Sequence, residues 1–206
     1  MKVKVIKIKT KNPAAYLMNK YRAIVTEHIN GTLHIIAVNS RNYPAVMATV
    51  DQLYEDLQQL QMIGLISARE YDTAAAIAFD VICGDSDTQL SLPDVCVVRN
   101  EHGERICTLN EFQCVIRDAI AQPVNQCLSW LVQTTESQWQ EDGWDTEEEY
   151  HQCLCKTSHN LMRLGKIVGI TSEKDHRRVT EHIKWCLKEK QFIKITLGDI
   201  RMAAGE

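Results

Sequence analysis

An α+β fold dominated by helices is what these 206 residues predict, and three observations carry it. Between Ala45 and Ile63, Val46, Val50, Leu53, Leu57 and Leu60 recur at spacings of three and four, with Asp51, Gln52, Glu55, Asp56 and Gln59 between them, which is helical amphipathicity. Ser67 with Glu70, Thr108 with Glu111 and Thr146 with Glu149 have the Ser/Thr-x-x-Glu spacing that satisfies the free N–H groups at a helix start. Short β-branched stretches at 2–10, 32–38, 95–108 and 193–197 read as strands.

Taken in order, residues 2–10 alternate Val3, Val5, Ile6 and Ile8 with Lys2, Lys4, Lys7 and Lys9, apart from one slip that a bulge would absorb. Asn12-Pro13 supplies an N-cap followed by proline at the first helical position, and Asn30-Gly31 supplies a stop. Thr32–Val38 then reads as a buried strand, so the chain opens as β-α-β. Gly64 separates the helix over 45–63 from a second helix that begins at the Ser67/Glu70 box and ends at Gly84. The alanines at 74, 75, 76 and 78 suit this second helix to close packing in an antiparallel α-hairpin.

Gly84–Pro93 is polar and punctuated, a linker between an N-terminal lobe over 1–88 and a C-terminal lobe over 94–206. Val95–Arg99 and Glu104–Thr108 flank the turn Asn100–Gly103 as a β-hairpin. A helix follows to about Ala121, and Pro123 opens another through Leu131. Gln133–Asp145 reads as a loop. Tyr150, Leu154, Leu161 and Leu164 line a helix ending near Gly165, and Val179, Ile183 and Cys186 line a last helix over 172–190. Ile193–Leu197 closes as a strand. If that strand pairs with the first, the two lobes form one continuous domain.

A hydrophobic share of 45% with 24% charged residues excludes disorder along the whole length. No apolar run approaches the roughly 20 residues of a membrane span, and the N-terminus has no continuous apolar stretch of the kind a secretory leader needs. The expected compartment is cytoplasmic. The eight cysteines contain no Cys-x-x-Cys pair and are expected as reduced thiols.

Charge is strongly segregated. All lysines fall in the first 20 residues or the last 51. Residues 1–22 carry +7, residues 23–155 carry −16 and residues 156–206 carry +5, summing to the net −4. Such segregation bears on partners and association rates rather than on fold.

Catalytic motifs are scarce. The sequence lacks a P-loop, a dinucleotide-binding Gly-rich turn after a strand, a nucleophile elbow and a His-Glu-x-x-His helix. Pro93-Asp94 is not followed by the lysine that a metal-dependent nuclease site of the PD-(D/E)xK type needs. His102-Gly103-Glu104 is half of a zinc deaminase motif whose Pro-Cys-x-x-Cys half is missing. His151, Cys155 and His159 stand at i, i+4 and i+8 on one helix face and are the only metal-ligand candidates; the usual paired ligands on a turn are absent, so no metal or cofactor is assigned. Glu147–Glu149 are explained by the favourable interaction of acids with a helix N-terminus.

Two surfaces remain. From Asp118 to Cys155 there are eight acids and no Lys or Arg, with Trp130, Trp139 and Trp144 among them. Tryptophan beside acids suits an interface with a basic protein, and Glu136, Trp139, Glu141, Asp142, Trp144, Asp145 and Glu148 are the residues assigned to it. The expected function is a non-catalytic interaction protein that binds a basic, nucleic-acid-handling partner. Inhibition of that partner by imitating nucleic acid is the sharper form. The alternative is direct nucleic-acid binding through Lys4, Lys7, Lys9, Lys174, Arg177, Arg178 and Lys184. A zinc-stabilised or zinc-dependent protein centred on His151–His159 comes third, and self-association is left open.

Overall fold

The computed structural model describes residues 12–39, 43–84, 88–100 and 102–197. Among them are seven helices: α1 (Pro13–Val38), α2 (Tyr43–Met62), α3 (Ala68–Cys83), α4 (Leu109–Gln133), α5 (Glu136–Glu141), α6 (Glu147–Val168) and α7 (Glu173–Glu189). The described residues contain no strand. The one β feature among them is an isolated antiparallel bridge between Arg99 and Arg105. The α+β expectation is therefore corrected to an all-helical fold; the proposed strand over 2–10 lies outside the described residues.

Each misplaced strand has a physical cause. In α1, Asn12 accepts from the Ala15 N–H at 3.2 Å with Pro13 behind it, as expected, but Asn30-Gly31 does not end the helix. Val25, Ile29, Leu33 and Ile36 are all buried at a spacing of three and four, so one apolar stripe crosses Gly31. That burial outweighs the roughly 1 kcal/mol a helical glycine costs and the β-preference of 32–38. Asn30 is instead used laterally. Its side chain accepts from the Leu90 N–H at 2.8 Å and donates to the Leu90 carbonyl at 3.0 Å.

The same device recurs. Asn19 accepts from Val95 N–H at 2.8 Å and donates to the Val95 carbonyl at 3.1 Å, and Asn12 donates to the Cys96 carbonyl. Asn125 on α4 does likewise for Ile195, at 2.7 Å in both directions. A side-chain amide offers one donor and one acceptor in the arrangement of a neighbouring peptide group. Segments 88–98 and 191–196 thus form no strand: their backbones are held by asparagines on helices, except where the Val98 carbonyl accepts from the Ile106 N–H at 3.0 Å. The predicted hairpin over 95–108 shrinks to the bridge for this reason: its first arm is drawn onto α1 and its second runs into the Thr108 cap of α4, where the Glu111 N–H reaches the Thr108 hydroxyl.

The α-hairpin stands. Val46, Val50, Leu53, Leu57 and Leu60 are buried. Past α2, Gly64 adopts φ +75°, and the Leu65 N–H reaches back to the Leu60 carbonyl at 2.9 Å, closing the helix end. The Ser67/Glu70 box is formed on both sides. Helix α4 runs unbroken through Pro123, where two helices were expected, because Ile116, Ile120, Val124, Cys127, Leu128 and Leu131 form one buried face. Helix α6 continues through Gly165 to Val168. Gly165 serves close packing, since a Cβ there would lie 2.9 Å from the Thr171 side chain and 3.0 Å from Ile120.

The buried apolar residues from Ala14 to Leu197 make one contiguous cluster, to which both proposed lobes contribute. Polar ties cross it. Arg22 is 6% exposed and donates to both carboxylate oxygens of Glu70 and to the carbonyls of Leu65 and Pro93. Asp56, 2% exposed, receives His28 from α1, Gln52 from α2 and Arg163 from α6. None of the helices among the described residues is long and apolar enough to cross a membrane.

Candidate partner-binding face

Residues 133–145, expected as a loop, fold into two tight turns around a short helix. The chain leaves α4 at Thr134, whose N–H reaches the Trp130 carbonyl at 3.2 Å. Thr135 then caps α5 with Gln138, the Thr135 N–H donating to the Gln138 Oε1 at 2.9 Å. At the far end Gly143 takes φ +86°, a conformation that side-chain-bearing residues rarely adopt. This turn sends Trp144 back over α5, with its N–H on the Trp139 carbonyl at 3.1 Å. Thr146 caps α6 by accepting from the Glu149 N–H at 3.2 Å.

These turns leave a cleft of about 510 Å³ between the end of α4, α5 and the first turns of α6. Trp130, Trp144 and Tyr150 supply its aromatic surface, Cys127 and Leu154 its apolar floor, and Glu141 and Asp142 its acidic edge. No Lys or Arg lines it. Trp144 and Tyr150 meet edge to face, ring centroids 6.1 Å apart, and the Tyr150 hydroxyl lies 3.2 Å from that of Thr134. Both rings are therefore fixed before any ligand arrives. On its other side Trp144 borders a second, more open depression of about 480 Å³ with Asp145 and Glu149.

The structure separates the residues assigned to this face from sequence. Trp139 is 8% exposed and packs into the core beneath α5. Trp144 is half-buried, with the cleft on one side. Trp130, absent from the sequence assignment, is 45% exposed and is the indole most open to a partner. Glu136, Glu141, Asp142, Asp145 and Glu148 are all exposed. Glu136 and Glu148 accept side-chain amides of Gln140 and Gln152, whereas Glu147 faces His151 and Lys190. Among the described residues no cationic side chain pairs with Glu141, Asp142 or Asp145.

The His151–Cys155–His159 row lies on one face of α6, as its spacing requires, and its two histidines each have a partner of their own. His151 stands 3.6 Å from Glu147, and its burial holds its pKa below the usual imidazole value. His159 donates from Nδ1 to the Cys155 carbonyl at 2.8 Å, and its Nε2 lies 3.1 Å from the Thr180 hydroxyl. Burial pushes the Cys155 thiol up, away from the thiolate that zinc requires. Among the described residues no three His, Cys, Asp or Glu side chains converge as a metal site.

Of the basic residues, Lys4, Lys7 and Lys9 lie outside the described residues. Lys174, Arg177, Arg178 and Lys184 fall with Lys188 within about 120° of arc on α7, opposite Val179, Ile183 and Cys186, which are buried. Glu181 interrupts the stripe. No protein-family model matches the chain, and neither a curated protein nor a solved structure matches it.

Proposed function

We propose that this chain is a non-catalytic interaction protein whose acidic, tryptophan-bearing face binds a basic protein partner, one that itself handles nucleic acid. The observation that supports this reading most is the combination at the α4–α5–α6 corner: exposed Trp130 and half-buried Trp144 beside Glu141, Asp142 and Asp145, none of which is in an ion pair among the described residues, Lys156 at the Asp145 side being bound to Glu55. An indole at the centre of a contact, surrounded by charge of one sign, is the composition in which interface energy concentrates. The carboxylates steer association, and the indoles govern how long the complex lasts. Imitation of nucleic acid, and so inhibition of such a partner, would follow from the same charge.

The test uses poly-L-arginine as a defined cationic probe. Replacing Glu141, Asp142 and Asp145 by their amides should weaken binding well beyond the effect of neutralising the equally exposed Asp72, Asp80 and Asp94. Equal losses from both triple variants would show general charge attraction and remove the case for a dedicated face.

The basic stripe on α7 supports a second reading, direct nucleic-acid contact. Replacing Arg177, Arg178 and Lys184 by Gln should then abolish duplex DNA binding and reduce its salt dependence, since each phosphate contact releases counterions. DNA affinity in the sub-micromolar range at physiological salt, lost in that variant, would favour this reading over the acidic face.

A further inference from the structure

We infer that the cleft between Trp130 and Trp144 receives a single guanidinium, the side chain of an arginine presented by the basic partner. The inference rests on the acidic-face reading and narrows it from a surface to one socket.

The cleft is not an acidic cluster alone. It is an open cleft whose volume of about 510 Å³ lies in the range of ligand-binding clefts, about 300–1,000 Å³. Its lining joins the aromatic and apolar groups with the polar side chains of Thr134, Gln138 and Thr157, which suits a group with an apolar face and N–H donors, while its edge is carboxylate, which would repel an anion. A ligand that satisfies both must carry positive charge on a weakly hydrated, flat group able to lie against a ring. The guanidinium does so: it is planar, stacks on aromatic faces, and presents paired N–H donors that match a carboxylate. An ammonium is a compact, strongly hydrated charge and fits the aromatic wall less well. Within the cleft, Trp130 and Trp144 offer the faces and Glu141 and Asp142 the acceptors.

Preorganisation strengthens the case. The edge-to-face contact of Trp144 with Tyr150, the Tyr150–Thr134 hydroxyl contact and the Trp144 N–H on the Trp139 carbonyl hold two of the walls without a ligand. Less side-chain freedom is therefore lost on binding. The floor stays neutral, because burial pushes the Cys127 thiol up and keeps it protonated.

The full chain would be titrated with end-blocked Gly-Gly-Arg-Gly-Gly, with the same peptide carrying lysine, and with citrulline, which keeps arginine's shape without its charge. Indole fluorescence and calorimetry report binding. Saturable binding of the arginine peptide is expected, weaker binding of the lysine peptide, and a loss of about tenfold or more for citrulline. Trp130→Ala should weaken the arginine peptide about tenfold and Trp130→Phe much less; Trp130 is exposed enough that both variants should fold. Equal affinity for arginine and citrulline, or no effect of Trp130→Ala, would overturn the inference. Free L-arginine amide binding as tightly as the peptide would reassign the cleft to a small molecule and overturn the partner as its source. If poly-L-arginine binding depends on Glu141, Asp142 and Asp145 while the single-arginine peptide perturbs no indole, the acidic face stands and the socket falls. If the peptide binds through Trp130 but poly-L-arginine does not distinguish the two triple variants, the socket stands and the wider face falls.

Discussion

Gly165→Ala should destabilise the protein even though it replaces the poorest ordinary helix former with the best, and a matched change at Gly31 should do the opposite. Both glycines lie inside helices, so helix propensity alone favours alanine at each by about 1 kcal/mol. At Gly31 nothing lies within 4 Å of the new Cβ, and the site is exposed, so the gain should appear undiminished. At Gly165 the Cβ would stand 2.9 Å from both Cγ2 and Oγ1 of Thr171 and 3.0 Å from Ile120 Cδ1. Thr171 cannot easily retreat. It is β-branched and buried, its hydroxyl donates to the Met162 carbonyl at 3.1 Å, and its N–H is bound to the Gly165 carbonyl at 3.0 Å. Ile120 is fully buried. Overpacking of this kind costs about 1–3 kcal/mol, and a displaced Thr171 hydroxyl adds about 1 kcal/mol, so after the propensity gain the net effect should be a loss of about 1–3 kcal/mol. Urea unfolding followed by circular dichroism would read this as a lower midpoint at unchanged slope, and thermal unfolding as a fall of about 2–7 °C. If Gly165→Ala stabilises as much as Gly31→Ala, the close approach of α6 to Thr171 and α4 is wrong.

Glu70→Gln should cost about 3–5 kcal/mol in urea unfolding, because it leaves the buried Arg22 cation without its carboxylate. The Arg22 guanidinium holds the Glu70 pKa down at about 2, below the 4.5 of a free glutamate, so its contribution is complete above pH 4.5 and is lost as pH falls toward 2. Glu70→Gln should flatten that part of the stability–pH curve, and an unchanged acid limb would refute the pairing. Asn125→Ala should free the Ile195 backbone, costing about 1–2 kcal/mol and raising amide exchange at Ile195; unchanged exchange there would show that the clamp is idle. Trp139→Ala should lower stability by about 3–5 kcal/mol, whereas Trp130→Ala should change it by about 0.5 kcal/mol, and comparable losses would mean that the two indoles are misassigned between core and surface.

The sequence by itself determined the helices whose caps and stripes are local. The Ser67/Glu70 box begins α3 with both bonds formed, while Thr108 and Thr146 begin α4 and α6 by accepting from the N–H of Glu111 and Glu149 without the return bond, since a cap needs only the four residues it joins. The α-hairpin, the inward faces of α2 and α7, and the charge segregation were legible for the same reason. Tertiary structure decided what propensity leaves balanced. Thr32–Val38 became helix because one buried stripe continues across Gly31, and Gly165 became a contact point because α4 and Thr171 crowd it. Residues 88–98 and 191–196 formed no strand, because asparagines 60 to 84 positions away took the place of neighbouring strands. No local pattern encodes such a partner. The acidic face was readable as composition. The cleft, and the exchange of Trp139 for Trp130 as its exposed indole, came only from the way α4, α5 and α6 meet, because burial of a side chain is settled by neighbours distant in the chain.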